Sequence, residues 1–129
     1  MNKVILSGRV VAEPKVVEKL HNIVIFRLAV DRGYKGEKTD FFLCKAYGKK
    51  GDLVLDKLYK GVKIIVVGSV NTYTKIVDTK KFYYTEIQIS DFDIMEHTKG
   101  YRELKLNKKD NNQGKYYNSM MLNNRYRRN

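Results

Sequence analysis

The sequence is poor in cysteine, proline and tryptophan, with one cysteine, one proline and no tryptophan among 129 residues. The single cysteine, Cys44, excludes an internal disulfide bond, which fits a reducing, cytoplasmic environment. Cys44, His21 and His97 together are too few soft ligands for a structural zinc site. No apolar segment is long enough to span a bilayer, and no signal-peptide pattern opens the chain. We therefore expect no metal, no cofactor and no membrane partner.

Acidic residues are also scarce, because 26 Lys and Arg side chains outnumber 14 Asp and Glu side chains. The formal net charge is +12 and the isoelectric point is near 9.7. Such an excess of positive charge suits a polyanionic partner, with nucleic acid ahead of an anionic membrane. A general solubilising charge is the alternative interpretation.

The positive charge is unevenly distributed along the chain. Residues 1–96 contain 17 basic and 12 acidic side chains, a net of +5, whereas residues 97–129 contain 9 basic and 2 acidic ones, a net of +7. The second region is rich in Asn, Lys, Arg and Tyr and shows no sustained period. This contrast predicts a folded domain over residues 1–96 and a flexible basic tail, disordered in isolation, over residues 97–129.

Apolar residues alternate with other residues along most of the first region, and this period of two predicts β-strands. The first strand lies within residues 2–14 (NKVILSGRVVAEP), where Gly8 interrupts the side-chain pattern. Glycine inside a strand marks a bulge, a tight bend or a place where another backbone comes close. Four more strands and a long hairpin loop are predicted, the strands in residues 21–31, 40–48, 61–75 and 82–94 and the loop in residues 31–40.

Residues 49–61 (KKGDLVLDKLYKG) break the alternation and predict one short helix. Asp52 is a candidate N-cap, and Gly61 is a candidate left-handed residue at the helix end. An all-β chain of five strands with a helix between the third and fourth has the layout of an OB-fold barrel, which commonly binds oligonucleotides. In such a barrel, Gly8 lets the first strand curve and pair at both ends.

The third strand presents the clearest candidate binding surface. If Phe42, Cys44 and Ala46 fill the barrel, alternation places Phe41, Lys45 and Tyr47 outside. Exposed rings interleaved with a lysine suit single-stranded nucleic acid, because bases stack on the rings while cations neutralise the phosphates. Duplex binding favours a recognition helix instead, and the sequence shows none. The alternative is that one of these rings packs under a loop or in a subunit interface.

No pattern of residues predicts catalysis. The order of elements brings together no Ser–His–acid or Cys–His set. Asp91 and Asp93 share one face of the last strand, and Asp40 is a possible neighbour; a metal-dependent nuclease would use carboxylates of this kind. We interpret these three residues as solvated acids and Cys44 as a core side chain.

By this order of elements, residues 2–96 resemble the bacterial and phage single-stranded DNA-binding proteins. The resemblance rests on NKVILSGRV followed by EP, on FRLAVDRGY, and on FFLCKAYGKKGDLVLDKLYKGVKIIVVGSV. In the last motif, Gly48-Lys49 and Lys60-Gly61 flank the helix and Gly68 follows in the next strand. The resemblance implies an OB-fold homotetramer that wraps single-stranded DNA over its surface. A first-strand edge left open near residues 3–7 independently predicts self-association.

The resemblance also implies which residues bind DNA. The stacking aromatics of the family correspond to Tyr34, Phe41 and Tyr47. A further family tryptophan falls near Lys75, where Tyr73 is the candidate substitute. The basic positions that match phosphate contacts of the family are Lys3, Lys49 and Lys60. Alternation and loop placement add three more basic candidates, Arg9, Arg32 and Lys45.

The function that follows is sequence-nonspecific binding and protection of single-stranded DNA in replication, recombination or repair, at the nucleoid and without enzymatic activity. Three alternatives stay open at this stage. The first is a paralogue of the same fold that works in primosome assembly at restarted forks. The second is an RNA-binding module, since stacking and phosphate contacts barely sense the sugar. The third is a metal-dependent nuclease on the same barrel.

The tail differs from the one that the resemblance implies. Relatives commonly end in an acidic tip that recruits repair and replication enzymes, whereas here Arg125, Arg127 and Arg128 stand near the end. We therefore expect no recruitment of those enzymes by that route. The tail instead either adds phosphate contacts, with Tyr116, Tyr117 and Tyr126 as extra stacking surfaces, or is an inert extension.

Overall fold

The computed structural model describes residues 1–33, 38–98 and 100. These residues form six strands and one helix, and Met1–His97 make up one unit by internal contacts. The elements in chain order are β1 (Val4–Val10), β2 (Lys15–Glu18), β3 (Ile23–Asp31), β4 (Thr39–Ala46), α1 (Gly48–Lys57), β5 (Lys63–Val77) and β6 (Lys80–Glu96).

The strands form one sheet in the order β1-β5-β6-β4-β3-β2, and it closes because β1 also pairs with β3. All pairings are antiparallel except the one between β4 and β6. Closure turns the sheet into a barrel and leaves few unpaired strand edges. The five long strands with α1 between β4 and β5 confirm the predicted all-β barrel.

Gly8 lies at the point where β1, which pairs with β5, also begins to pair with β3. Gly8 pairs with Ile64 of β5, and the next residue, Arg9, pairs with Lys63 of β5 and with Ala29 of β3. A Cβ atom built on Gly8 would overlap the carbonyl oxygen of Ala29. The close backbone approach predicted for this glycine is therefore present, and it is what lets β1 close the barrel.

The barrel interior is filled by the apolar residues of one parity on each strand. Fully buried examples are Leu28 on β3, Cys44 and Ala46 on β4, and Ile64 on β5. Burial raises the pKa of the Cys44 thiol to about 12, so the thiol stays protonated at neutral pH. Cys44 is therefore a core side chain, as the sequence predicts.

Helix α1 begins at Gly48, so the predicted N-cap at Asp52 is wrong. Tyr47 occupies the N-cap position without a side-chain hydrogen bond. The N–H of Gly48 instead donates to the carbonyl of His21 at 3.2 Å, and backbone carbonyls take over the capping role. The helix ends at Lys57, and Gly61 (φ 93°) turns the chain into β5 a few residues later.

Two features lengthen the sheet beyond the five predicted strands. Strand β2 pairs with β3 although its residues, KVVE, are all exposed and do not alternate. Strands β5 and β6 continue to a tight turn at Asp78 and Thr79, which have φ of 50° and 67°. Positive φ at both central residues is the geometry of a type I′ hairpin, whose twist matches the flanking strands. The result is a long β5–β6 hairpin.

Candidate nucleic-acid interface

The outer surface of β4 carries the predicted ladder of rings and a lysine. Phe41 and Tyr47 are 59% and 38% exposed, while Cys44 and Ala46 between them are fully buried. Lys45 points outward with the two rings, because side chains alternate across a strand. The structure therefore confirms the alternation predicted for this strand at Cys44 and Ala46, whereas Phe42, also predicted inside, is only half-buried.

This surface continues from β4 onto β6 and β5, and we call it the binding face. Lys45 pairs with Gln88 of β6, and Asn71 of β5 lies opposite Glu86 of β6. The amide of Asn71 donates to Gln88 Oε1 at 2.8 Å, which confirms that the two side chains share one side of the sheet. The binding face consists of Phe41, Lys45, Tyr47, Asn71, Tyr73, Lys75, Phe82, Tyr84, Glu86 and Gln88.

The arms of the β5–β6 hairpin carry a second aromatic group on this face. Tyr73 pairs with Tyr84 across the hairpin, and their rings stack with centroids 5.1 Å apart and planes 14° from parallel. The Nζ atom of Lys75 lies 5.9 Å from the Tyr73 ring centroid and 5.7 Å from that of Tyr84. A lysine beside two ring faces is favourably placed by cation–π attraction. The hairpin therefore presents a platform of two rings and one cation.

Sequence reasoning missed Tyr84 and Phe82 as parts of this face. Alternation along β6 could have found them. Because Ile87 and Ile89 are buried, the even-numbered side chains of this part of β6 lie on the outer side of the sheet. It also missed Arg27, which is exposed on β3 and lies opposite Leu43, between the positions of Phe41 and Lys45. Arg27 thus adds a cation next to the β4 ladder.

The ion pair between Lys45 and Glu86 lies at the centre of the face. Lys45 Nζ is 3.5 Å from Glu86 Oε2 and 5.9 Å from the centroid of the Tyr47 ring. Burial lowers the pKa of Lys45, but the attraction of Glu86 and Tyr47 outweighs burial and the net direction is upward. Lys45 is therefore a firmly charged ammonium that already has an anionic neighbour.

The predicted basic residues outside the face are spread over several loops and strand ends. Lys3, Lys49 and Lys60 are exposed, before β1, in the first turn of α1 and after α1 respectively. Arg9 is partly engaged, because Nη1 donates to the carbonyl of Gly61 at 3.0 Å and Nη2 lies 3.5 Å from Glu96. These four residues lie on other elements than the β4 ladder.

Arg32 is held by Asp40 in a two-bond ion pair. Its Nε and Nη2 atoms donate to the two oxygens of Asp40, each at 3.0 Å. These hydrogen bonds raise the pKa of Arg32 and lower the pKa of Asp40. The pair joins the end of β3 to the start of β4. Tyr34 itself lies outside the described residues, as do the tail residues 101–129.

The three acids considered for a nuclease are each engaged elsewhere. Asp40 binds Arg32, and Asp91 accepts a hydrogen bond from the N–H of Phe92 and lies 3.3 Å from Lys50 Nζ. The backbone hydrogen bond is the main reason that the pKa of Asp91 is lowered. Asp93 accepts a hydrogen bond from the N–H of Ile94. Within residues 1–33 and 38–98, no three His, Cys, Asp or Glu side chains are grouped to hold a metal ion.

A closed barrel of this topology, with rings and cations on its outer surface, defines an oligonucleotide-binding (OB) fold. Comparison with known proteins agrees. The model of the Single-strand binding protein family matches residues 1–95, and the chain belongs to this family. The family is one of DNA-binding proteins that are not enzymes, and the resemblance noted from the sequence is confirmed.

Individual relatives cover a similar part of the chain. A single-stranded DNA-binding protein of Clostridium perfringens is 31% identical over 104 residues, covering 78% of this chain and 69% of the relative. Single-stranded DNA-binding protein 1 of Streptococcus pyogenes is 32% identical over 101 residues, covering 74% and 77%. The solved structure of the Plasmodium falciparum SSB complex with ssDNA matches with a TM-score of 0.66 and 28% identity, covering 74% of this chain and 96% of that one. Among the described residues, no helix is long and apolar enough to cross a membrane.

Proposed function

We propose that this protein binds single-stranded DNA without sequence preference and protects it during replication, recombination or repair. The observation that carries the proposal is the continuous binding face, on which exposed rings of β4 and of the hairpin alternate with lysines. Rings stack on any base, and lysines neutralise any phosphate, so neither contact selects a sequence. Family membership and the SSB–ssDNA relative support the same function.

The shape of the binding face favours a single strand over a duplex. Stacking needs bases whose flat sides are free, and those of a duplex are covered by neighbouring base pairs. A duplex reader of the helical type projects a helix into the major groove. Helix α1, the one helix of the described residues, buries Gly51 and Val54 against the barrel and packs on β3, β4 and β6. It therefore packs against the barrel and does not project from it.

We assign the contacts as follows. Phe41, Tyr47 and the Tyr73–Tyr84 pair stack on bases, and Tyr34 does so by its match to the family. Phosphates are neutralised by Arg27 and Lys75 beside the face and by basic side chains elsewhere on the barrel, namely Lys3, Arg9, Arg32, Lys49 and Lys60. Arg32 exchanges its bond to Asp40 for a phosphate when DNA arrives. Lys45 also contacts DNA.

We further propose that the protein self-associates, as a homotetramer. Residues 4–7 of β1 pair with β5 on one edge, whereas pairing with β3 starts only at Arg9. No described strand pairs with the other edge of residues 4–7, and Ile5 beside it is 60% exposed. An open edge with exposed apolar side chains invites pairing with a second copy about a two-fold axis. Light scattering at micromolar concentration tests the assembly, and a monomer would contradict it.

The deciding experiment is a titration of tyrosine fluorescence with poly(dT), poly(U) and a duplex of equal length over a salt series. We expect poly(dT) to quench the tyrosines and to bind far more tightly than the duplex, with log K falling linearly with log salt. Equal affinity for the duplex would refute the proposal. Tighter binding of poly(U) than of poly(dT) would identify an RNA-binding module instead.

Two further parts of the proposal concern organisation and location. We propose residues 1–96 as an autonomous DNA-binding domain and the nucleoid as the place of action. The barrel residues supply every strand pairing described above, which supports an independently folding domain. A fluorescently tagged chain that stays dispersed while single-stranded DNA accumulates at stalled forks would contradict the proposed location.

A further inference from the structure

The binding face contains a buried acid. Glu86 is 7% exposed and is the one buried charged residue among those described. Its Oε2 atom has no hydrogen-bond partner among those residues, and its charged neighbour is Lys45 Nζ at 3.5 Å. A carboxylate is an unexpected group at the centre of a surface that binds a polyanion, because it repels phosphate.

The surroundings of Glu86 leave Lys45 as the cation that balances it. Asn71 lies directly opposite Glu86 across β5 and β6, but its amide donates to Gln88. Tyr84 and Gln88 flank Glu86 on the same side of β6 and are neutral. Lys45 therefore neutralises Glu86 and at the same time lies near the ring of Tyr47.

A phosphate cannot take Lys45 away from Glu86 without cost. Moving the ammonium to a phosphate would leave a nearly buried carboxylate without its counter-charge, which is strongly unfavourable. A phosphate that approached the pair would also be repelled by the carboxylate. Lys75 differs, because no carboxylate of the described residues lies within ion-pair distance of it. Of the two lysines of the face, Lys75 is therefore available to bind a phosphate, whereas Lys45 is retained by Glu86.

We propose that Glu86 retains Lys45 in a neutral pair, so that DNA contacts the centre of the face through bases and not through phosphates. A base stacks on Tyr47 with the neutral pair beside it, and the phosphates pass along the flanks, near Arg27 and Lys75. Glu86 is therefore a positioning residue that limits the number of phosphates bound. This inference rests on the proposed function. Strand alternation alone predicted that Lys45 binds a phosphate, whereas here Lys45 balances the charge of Glu86.

The test is a double-mutant cycle, in which the slope of log K against log salt is measured for poly(dT) binding by each variant of the full chain. The variants are Glu86→Gln, Lys45→Gln and the double variant, with Asp56→Asn as a control that removes an exposed acid of α1. Glu86→Gln removes the counter-charge of Lys45, and we expect Lys45 then to bind a phosphate of the DNA. The slope of log K against log salt should therefore steepen by about 0.7. Between about 20 and 200 mM salt, the affinity advantage of Glu86→Gln over wild type should then shrink about fivefold. Asp56→Asn should leave the slope unchanged.

The double variant separates the two possible roles of Lys45. If the pair is neutral in the complex, Lys45→Gln with Glu86→Gln keeps the wild-type slope. A double-variant slope shallower by about 0.7, with Glu86→Gln unchanged in slope, would overturn the inference by showing that Lys45 binds phosphate in the wild type. Wild-type protein that fails to bind poly(dT) would refute the proposed function itself, which is a different outcome.

Folding of the variants is checked by cooperative thermal unfolding. Lys45→Gln alone leaves Glu86 unbalanced, and we expect it to lower the midpoint more than the double variant does. If the double variant does not unfold cooperatively, Lys45→Met with Glu86→Leu removes both charges in side chains of similar size and takes its place. A salt slope shallower than that of the wild type in this Lys45→Met, Glu86→Leu variant would also overturn the inference.

Discussion

The rings of Tyr73 and Tyr84 stack across the β5–β6 hairpin with centroids 5.1 Å apart, on the same side of the sheet as Lys45 and Tyr47. The ammonium of Lys75 lies within 6 Å of both ring centroids. Two stacked rings and one cation thus lie together on this side of the hairpin. We therefore expect the rings of the hairpin to contribute to the binding of single-stranded DNA.

Removing a ring of the hairpin pair should weaken binding to single-stranded DNA. We expect Tyr84→Ala to lose about 1–3 kcal/mol of binding free energy, because one base loses its stacking partner. Tyr83→Ala is the matched control, since Tyr83 is 76% exposed and points to the opposite side of β6. Fluorescence anisotropy with a labelled oligo(dT) measures both variants. Equal losses in the two would show that the pair has no special role.

The rings of β4 should behave in the same way without affecting the fold. Phe41→Ala and Tyr47→Ala should each cost about 1–3 kcal/mol of binding free energy. Because Phe41 is 59% exposed, its loss should change the free energy of unfolding little. Urea unfolding and oligo(dT) binding measured on the same preparations separate the two effects. A variant that folds normally and binds like wild type would show that its ring serves another contact.

Gly8 should tolerate no side chain, because a Cβ there would overlap the Ala29 carbonyl where β1 meets β3. We expect Gly8→Ala to lower the free energy of unfolding by about 1–3 kcal/mol, the range of overpacked core sites. Ser7→Ala, at an exposed position of the same strand, should be close to neutral. Urea unfolding measures both. A neutral Gly8→Ala would mean that β1 and β3 separate easily at this point.

The Arg32–Asp40 pair should give a pH-dependent contribution to stability. The folded-state pKa of Asp40 lies below its ordinary value of 3.8, so the stabilisation is present above that value and is lost as pH falls through the folded-state pKa. Wild type and Asp40→Asn should therefore differ most at neutral pH and converge in acid. Thermal midpoints from neutral pH downward test this. A difference that grows on acidification would contradict the assigned direction.

The basic tail is testable by truncation. The hydroxyl of Tyr59 and Nδ1 of His97 are hydrogen-bonded at 2.8 Å, so a cut after residue 100 preserves the end of the barrel unit. If residues 101–129 bind phosphates, the truncated chain should bind poly(dT) more weakly and with a shallower salt slope. Unchanged affinity and slope would show that the tail is inert in binding.

Much of the barrel could be predicted from local sequence patterns. Alternation alone placed Cys44 and Ala46 inside and Phe41 and Tyr47 outside, because a strand side chain has only two directions to choose between. The same rule applied to β6 would have found Tyr84. Alternation fails at β2, where Val16 and Val17 are consecutive and both exposed, because that strand forms by pairing with β3 and not by burying one face. It also fails at the cap of α1, where the carbonyl of His21, distant in sequence, satisfies Gly48.

The sequence by itself determined the order of the five long strands and the helix, the direction of most side chains of β4, the need for a side-chain-free position at Gly8 and the positive charge that suits nucleic acid. Each of these depends on residue type and spacing along one segment. Only the tertiary structure decided that Tyr73 meets Tyr84, that Lys45 lies beside the buried Glu86 and that Arg32 is held by Asp40. These contacts join different strands, and their partners follow from pairing register and strand order. The physical reason is that a local pattern specifies the side of a strand on which a residue lies, but not the residue that it faces across the sheet.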